Sequence, residues 1–218
     1  MASPSDLLTL FRREVADDAA PYLWSDDEFF TYLDDAQKQF ARFTDGLPDT
    51  TTVGVTEIVL DTLTDTYAVS PLILKYRSAW NKATGRPIEI VNLEDMASHG
   101  MYFDSIPGHV KSIVTGLDDN SIRVWPFPIE PLTVKLSVFR LPLLDITDAS
   151  PALEIAPQHH LNLLMWVKYR AYSKQDSETF DKQKAEDSEA LFQAYCGRVK
   201  AEQARTRHKP RSVAYGGL

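Results

Sequence analysis

One segment, residues 24–43, constrains the fold of this chain more than any other. It reads WSDDEFFTYLDDAQKQFARF, and Ser25 and Glu28 within it have the spacing of a capping box, which marks a helix start. Trp24 precedes the cap and Phe29 follows it by one turn, which is the spacing of a hydrophobic staple. Three consecutive acidic residues then place negative charge at the positive end of the helix dipole. The segment therefore predicts a helix from Asp26 to about Thr44.

The apolar residues of this helix recur at steps of four, three, four and three and form a single stripe. They are Phe29, Leu33, Ala36, Phe40 and Phe43. The cap contributes only about 1 kcal/mol, so the stripe must pack against other helices to be stable. The nearest suitable partner helices lie within residues 157–199, more than a hundred residues downstream. The chain is therefore predicted to leave the helices, build a different structure and return.

Three further helices are predicted, one before this helix and two after the intervening region. The first covers residues 5–20, with Ser5 or Asp6 as its cap and Pro21 as its end. The second opens at Pro157 and is apolar almost all round, Leu161 included, which indicates burial on most sides. The third runs from about residue 176 to Arg205 and is mostly charged. Its predicted apolar stripe is Phe180, Leu191, Ala194, Tyr195 and Val199, with Cys196 on a charged face.

Between the helical regions the composition changes to threonine and β-branched residues, which favour strands. Strands are predicted near residues 55–63, 66–70, 72–77, 87–92, 110–115, 121–125 and 132–138. The last has the clearest alternation of apolar and polar residues and predicts one buried face. Three prolines between residues 126 and 131 cannot donate to a ladder and predict a stiff connection instead of a sheet.

These patterns predict an α+β protein. A helical bundle is formed by the N- and C-terminal helices, with an inserted β-rich module and an extended C-terminal tail. The N-terminal helices of the bundle are predicted in residues 1–48 and the inserted β-rich module in residues 49–150. The C-terminal helices are predicted in residues 151–205 and the extended tail in residues 206–218. A single core shared by sheet and helices is the alternative. The insertion is preferred because the helical stripes before and after the β-rich region need each other.

Composition excludes several classes of protein. The formal net charge of −8 argues against a general nucleic-acid coat, which would be basic. One cysteine, Cys196, excludes an intramolecular disulfide framework and a multi-cysteine metal site. No stretch approaches the roughly 20 apolar residues of a membrane span, and residues 1–11 lack the basic region of a signal peptide.

No catalytic motif stands out, and neither a metal nor a cofactor is expected. His159 and His160 are adjacent on a helix and point about 100° apart, which does not suit a metal pair. A small metal-dependent hydrolase with its site at His99, Asp104 and His109 remains an alternative, although their spacing does not require them to meet.

Two aromatic residues are candidates for a subunit interface. Trp125 and Phe127 alternate with prolines, and aromatic residues on such a connection are often half-exposed. They either close one end of the β-rich module or contact a neighbouring subunit, since aromatics are enriched in interface cores.

The C-terminal end is a candidate docking tail. Six basic residues and a single acidic one, Glu202, lie within residues 198–211, whereas the whole chain is acidic. The residues assigned to partner binding are Arg207, Lys209, Arg211, Val213 and Tyr215. A nucleic-acid-binding module that uses the same basic tail is a second alternative.

The order of elements and several short motifs resemble the head-to-tail adaptor (connector) proteins of tailed bacteriophages. The resemblance covers most of the chain, although residues 92–108 have no counterpart. It rests on Trp24-Ser25-Asp26-Asp27-Glu28, Val124-Trp125-Pro126-Phe127-Pro128, Arg140-Leu141-Pro142, Ile155-Ala156-Pro157 before His160-Leu161, and Tyr169-Arg170-Ala171-Tyr172 followed by Asp176.

This resemblance implies a structural virion protein of the neck, assembled in the host cytoplasm, with no enzymatic activity. It implies a ring, a dodecamer in the family, mounted below the portal protein and above a tail or nozzle protein. The C-terminal tail would reach the portal, and viral DNA would pass through the ring without sequence-specific binding. Carboxylates between Asp26 and Asp35 are candidates for an acidic channel wall, which would avoid tight phosphate contacts.

Overall fold

The computed structural model describes residues 3–96, 98, 106–149 and 152–207. Its contacts divide the chain into two compact units. The helical unit comprises the described residues up to Thr44 together with those from Leu144 onward, and the β unit comprises those from Asp45 to Leu143. The predicted mixed α+β class is confirmed.

The helical unit contains four of the five α-helices found in the described residues. They are α1 (Pro4–Glu14), α2 (Asp26–Phe43), α4 (His160–Tyr172), which follows a 3-10 turn at Pro157–His159, and α5 (Lys182–Arg207). Helix α4 contacts α1, α2 and α5, so it joins the N-terminal and C-terminal parts of the chain.

Helix α1 starts earlier and ends earlier than predicted. Ser3, not Ser5 or Asp6, is the cap, and its hydroxyl accepts from the backbone N–H of Asp6 at 3.2 Å. The Asp6 carboxylate accepts from the N–H of Ser3 at 2.8 Å, which completes a capping box upstream of the predicted start. The helix ends at Glu14, before Ala16 adopts a positive φ of 58°, so Pro21 is not its terminator.

Helix α2 forms as predicted. The Ser25 hydroxyl accepts from the N–H of Glu28 at 3.2 Å, and the Glu28 carboxylate accepts from the N–H of Ser25 at 3.0 Å. Four of the five stripe residues are buried, and the fifth, Phe43, is 39% exposed but lies edge-on to Phe192 at 6.1 Å. Trp24 packs edge-on against Phe11, which also contacts Phe29, so α1 takes part in the predicted staple.

The predicted apolar stripe of the last helix was largely wrong. Leu191 is 58% exposed, Phe180 is 53% exposed and precedes the helix, and Ala194 is exposed. Val199 of the predicted stripe is buried, and Tyr195 is half-buried. The other buried residues of α5 are Ala185, Phe192 and Cys196, which were not predicted. Neighbouring helix positions point about 100° apart, so burying Phe192 against the Trp166 ring, 5.1 Å away, turns Leu191 outward.

Two other burial predictions need correction. Cys196 is 1% exposed and not on a charged face, and burial raises the pKa of its thiol to about 12. Leu161 is 58% exposed, although the rest of α4 is largely buried as predicted.

The β unit contains ten strands, one short α-helix and a 3-10 turn at Leu93–Asp95 in the described residues. The strands and the α-helix are β1 (Leu47–Asp49), α3 (Val53–Thr56), β2 (Glu57–Leu60), β3 (Thr66–Ala68), β4 (Ile73–Asn81), β5 (Pro87–Asn92), β6 (Pro107–Gly108), β7 (Ser112–Thr115), β8 (Ser121–Trp125), β9 (Phe127–Pro128) and β10 (Leu132–Arg140). Sequence patterns missed β1 and α3, and the start of the strand predicted at 55–63 is helical.

Strand β10 organises the main sheet, whose order is β1-β10-β4-β5-β7-β8-β3. Strand β2 pairs with the part of β10 that β1 leaves open, from Leu132 to Lys135. All pairs in this sheet are antiparallel except β5 with β7. One apolar core includes Leu60 of β2, Leu136 of β10 and Ile122 of β8, so the sheet curls around its own buried face.

The proline-rich connection contains a short strand, contrary to prediction. Phe127–Pro128 pairs in parallel with Pro107–Gly108, and the N–H of Phe127 donates to the carbonyl of Ile106 at 2.9 Å. A proline carbonyl can still accept a hydrogen bond, so these prolines restrict the pairing without abolishing it.

Candidate interaction surfaces

The predicted docking tail lies mostly outside the described residues. Helix α5 continues to Arg207, two residues past the predicted helix end, and Lys209, Arg211, Val213 and Tyr215 follow beyond the description. The final turns of α5 before them are basic and exposed at Arg198 and Arg205. Cations near a helix C-terminus are also favoured by the helix dipole, so this charge has a local stabilising effect as well.

Trp125 belongs partly to a small core. It packs beside Val91, Met96 and Val114, and it is only partly exposed. Its indole N–H is buried without a hydrogen-bond partner in the described residues. Part of its ring therefore closes the β unit, which is one of the two roles predicted for it.

Phe127 lies in a more exposed group at the same end of the β unit. It is half-buried, and its backbone N–H is bonded to Ile106, which is 50% exposed. Ile129, two residues further along, is 51% exposed. We call Ile106, Phe127 and Ile129 the apolar edge patch. Exposed apolar side chains grouped in this way are typical of surfaces that bind other proteins.

Only one residue of the alternative hydrolase site, His109, lies within the described residues. His99 and Asp104 lie outside the described residues, and His109 is exposed with its Nδ1 3.1 Å from Glu130 Oε1. His159 and His160 point to different partners, the Tyr195 hydroxyl and the Ile155 carbonyl. No group of three potential metal-ligating side chains occurs in the part of the chain that the structure describes.

The carboxylates proposed for a channel wall have partners within the helical unit. Asp26 pairs with Arg12, Asp34 accepts from Lys38 at 2.6 Å, and Asp35 accepts from the Trp166 indole at 2.8 Å. These contacts hold the helices and their connections together, whereas Asp27 is exposed. The acidic channel wall stays a prediction.

Two buried ion pairs were missed because nothing in the sequence marks them. Arg12 bonds Asp17 at 3.1 Å, and the Asp17 carboxylate accepts from the N–H of Leu23 at 2.9 Å, which fixes the connection between α1 and α2. In the β unit Arg140 Nε donates to Asp49 Oδ2 at 2.5 Å. Both pairs are structural, and neither lies beside a cluster of catalytic groups in the described residues.

Among the described residues, no helix combines the length and the hydrophobicity that a membrane span requires. A search of curated proteins finds no match.

The model of the SU10 adaptor protein family matches residues 3–214, which includes both units. The match agrees with the resemblance found in the short motifs of the sequence. The chain belongs to the SU10 adaptor protein family, a family of phage head-to-tail adaptors.

Proposed function

We propose that this chain is a structural protein of the phage neck, where copies of it form an adaptor ring below the portal. The observation that carries the proposal is the family match over residues 3–214. A match to one unit alone would have been compatible with a shared domain in a different protein. Because both units match, we assign the role of the family to the whole chain.

The arrangement of residues is consistent with a structural role. The two buried ion pairs named above, Arg140–Asp49 and Arg12–Asp17, serve internal contacts. A ring subunit needs long complementary surfaces and not a catalytic centre. The proposed ring is a dodecamer, as the sequence resemblance implies, and it lets DNA pass without sequence-specific contacts.

The partners proposed for the ring are the portal protein above and a tail or nozzle protein below. Residues 208–218 supply the contact with the portal. Eleven extended residues span roughly 35 Å, which is long enough to reach a neighbouring component. Lys209 and Arg211 provide attraction to an acidic surface, and Val213 and Tyr215 provide apolar contact. Trp125 and the apolar edge patch are the proposed contacts between subunits.

Depletion of the protein during phage assembly tests the role. Without it, DNA-filled heads should accumulate without tails, and wild-type protein supplied in trans should restore complete particles. Antibody labelling should place the protein at the neck. Normal tailed particles in its absence would contradict the proposal.

Truncation after Arg207 tests the tail separately, because it leaves α5 intact. The truncated chain should have wild-type stability but fail to attach to heads. The matched control replaces Gly216 and Gly217 with alanine and keeps the basic and aromatic residues, so attachment should persist. Wild-type yields of infectious particles from the truncated chain would show that the tail does not dock.

A further inference from the structure

Strand β4 has an open edge. It pairs with β10 along its full length, but β5 pairs with it only at Ala79 and Trp80. Residues 73–78 therefore have no strand on their second side in the described part of the chain. Six residues at about 3.3 Å each give an open edge roughly 20 Å long.

The side chains along this edge are accessible. Leu74 and Lys75 are both exposed, and so are Arg77 and Ser78. Consecutive exposed residues depart from the alternation of a strand that is covered on one face. Lys75 and Arg77 have no ion-pair partner in the described residues, so the edge presents two uncompensated positive charges.

Strand β2 has another open edge. It pairs only with β10 in the described chain, and its Val59 is 73% exposed. Leu63, just after it, is 86% exposed, and Asp61 between them is exposed and negatively charged. Two strongly exposed apolar residues beside an open strand edge are unfavourable in an isolated subunit.

The two edges lie on opposite sides of β10. Strand β2 pairs with one side of β10, and β4 pairs with the other. A contact between the β4 edge of one copy and the β2 edge of the next therefore repeats in one direction. Such a heterologous contact closes into a ring when its rotation permits, whereas a contact between identical patches stops at a dimer.

We propose that the open edge of β4 in one copy pairs with the open edge of β2 in the next copy. Val59 and Leu63 would cover Leu74, and Asp61 would face Lys75 and Arg77. The backbone groups of both strands would gain hydrogen bonds, as in strand addition. This inference rests on the proposed ring and assigns its joint to the β units. The positive charge on one edge and the negative charge on the other favour a second copy as the occupant.

Disulfide trapping tests the contact in the full-length chain. Val59→Cys and Leu74→Cys are combined in one chain, with the buried Cys196 left in place. Because β10 separates β2 from β4, the two new cysteines are at least about 9.5 Å apart within one copy, beyond the reach of a disulfide. Oxidation of the assembled protein should give a ladder of cross-linked oligomers on a non-reducing gel.

Matched controls define that result. Each single-cysteine variant should give at most a dimer. The pair Leu74→Cys with Leu191→Cys should give no ladder, because Leu191 is exposed but lies on a helix of the other unit. No ladder from the Val59 and Leu74 pair, in protein that does assemble on heads, overturns the inference.

Charge exchange gives an independent measurement. Lys75→Glu with Arg77→Glu should weaken self-association at least tenfold in sedimentation experiments, while circular dichroism remains unchanged. Adding Asp61→Lys to that variant should restore association to within about threefold of wild type, because it places a positive charge opposite the two new carboxylates. Unchanged association of the first variant overturns the inference, and so does disulfide trapping of a different virion protein by the Leu74→Cys variant.

The inference and the proposed function can fail separately. Wild-type protein that is found at the neck but shows neither the ladder nor the charge effect refutes the edge contact and leaves the adaptor role intact. Wild-type protein that is absent from particles refutes the adaptor role.

Discussion

The Asp49–Arg140 pair shows how a single buried residue can control the β unit. Asp49 is 5% exposed, and its carboxylate also accepts from the N–H groups of Thr51 and Thr52 at 2.8 and 3.1 Å. Burial alone would raise the pKa of this carboxyl. The hydrogen bonds from Arg140, Thr52 and Thr51 outweigh burial and hold the pKa below its usual value of 3.8.

The sign of the resulting pH dependence follows from that lowered pKa. The ionised carboxylate stabilises the fold fully above the unfolded pKa, and this stability is lost as pH falls through the folded pKa. The free energy of unfolding should therefore decline as pH falls below about 4. Asp49→Asn should cost about 3 kcal/mol at pH 7 and flatten that decline. Urea unfolding at several pH values, followed by tryptophan fluorescence, measures both effects.

Asp119→Asn is the matched control for this prediction, because Asp119 is exposed in the turn between β7 and β8. It should leave both the stability and its pH dependence unchanged. If Asp49→Asn loses stability in acid as steeply as wild type, other carboxylates dominate the acid response of the β unit.

The side chain of Trp24 connects the N-terminal part of the helical unit to helix α4. It is 2% exposed, its indole N–H donates to the carbonyl of Ala171 at 3.2 Å, and its ring is edge-on to Tyr172 at 5.9 Å. Trp24→Ala should lower the free energy of unfolding by about 3–5 kcal/mol, because it leaves a large cavity and removes a buried hydrogen bond. Leu161→Ala, at an exposed site on α4, should change it by less than about 0.5 kcal/mol. Similar denaturation midpoints for the two variants would contradict this assignment.

At the scale of elements, α5 offers a direct comparison between adjacent residues. Phe192 is fully buried against Trp166 and Phe43, whereas Leu191 is 58% exposed. Phe192→Ala should cost about 3–5 kcal/mol, and Leu191→Ala should cost less than about 0.5 kcal/mol. Guanidinium denaturation monitored by far-ultraviolet circular dichroism measures both. Equal losses would mean that the helix is rotated from the position described.

The elements that could be predicted are those whose signals are local. Ser25 and Glu28 satisfy backbone groups within one turn, so they mark the start of α2 without any tertiary information. The strand at residues 132–138 was recognised because alternation is a property of the strand itself. Both predictions depend on neighbouring residues only, and the structure confirms both elements. The prediction of one buried face for the strand holds only in its first half, because Ser137 is buried together with Leu136 and Val138.

The elements that were missed depend on distant partners. Strand β1 has three residues and exists because Leu47 and Asp49 pair with β10, far along the chain. The buried face of α5 was misjudged because Leu191 and Phe192 are both apolar, and only the position of Trp166 selects between them. The buried side of a mostly charged helix is set by what packs against it, which sequence periodicity does not contain.

At the scale of the molecule, the family could be recognised from the sequence, but the interaction surfaces could not. Short motifs such as residues 24–28 carry a recognisable signal because they fix helix ends and strand turns. The sequence did not distinguish Val59, Leu63 and Leu74 from buried apolar residues of the β unit. Their exposure depends on how the strands on the two sides of β10 are paired. An open strand edge is a property of the sheet order and becomes visible only with the topology.

Sheet order also predicts that the β unit folds alone. Residues 45–143 contain all ten described strands and a core that runs from Val55 to Val138. The excised segment should unfold cooperatively in urea, with the signal of Trp80 and Trp125 as the readout. A segment without cooperative unfolding would show that its core needs the rest of the chain.

The complementary deletion tests whether the helical unit is independent. The Gln37 side chain donates to the carbonyl of Leu144 at 3.2 Å, and Lys38 pairs with Asp145 at 2.6 Å. Thr44 lies two turns along the chain from Gln37, or about 10 Å at 1.5 Å per residue. A linker of about six glycine and serine residues can therefore join Thr44 to Leu144 in place of the β unit.

The product should retain helical circular dichroism and the buried Trp24, since α4 supplies the partner for α2 in either chain. Because the proposed ring joint lies in the β unit, the deleted chain should fold yet remain monomeric, whereas assembly of that chain into rings would place the joint on the helices.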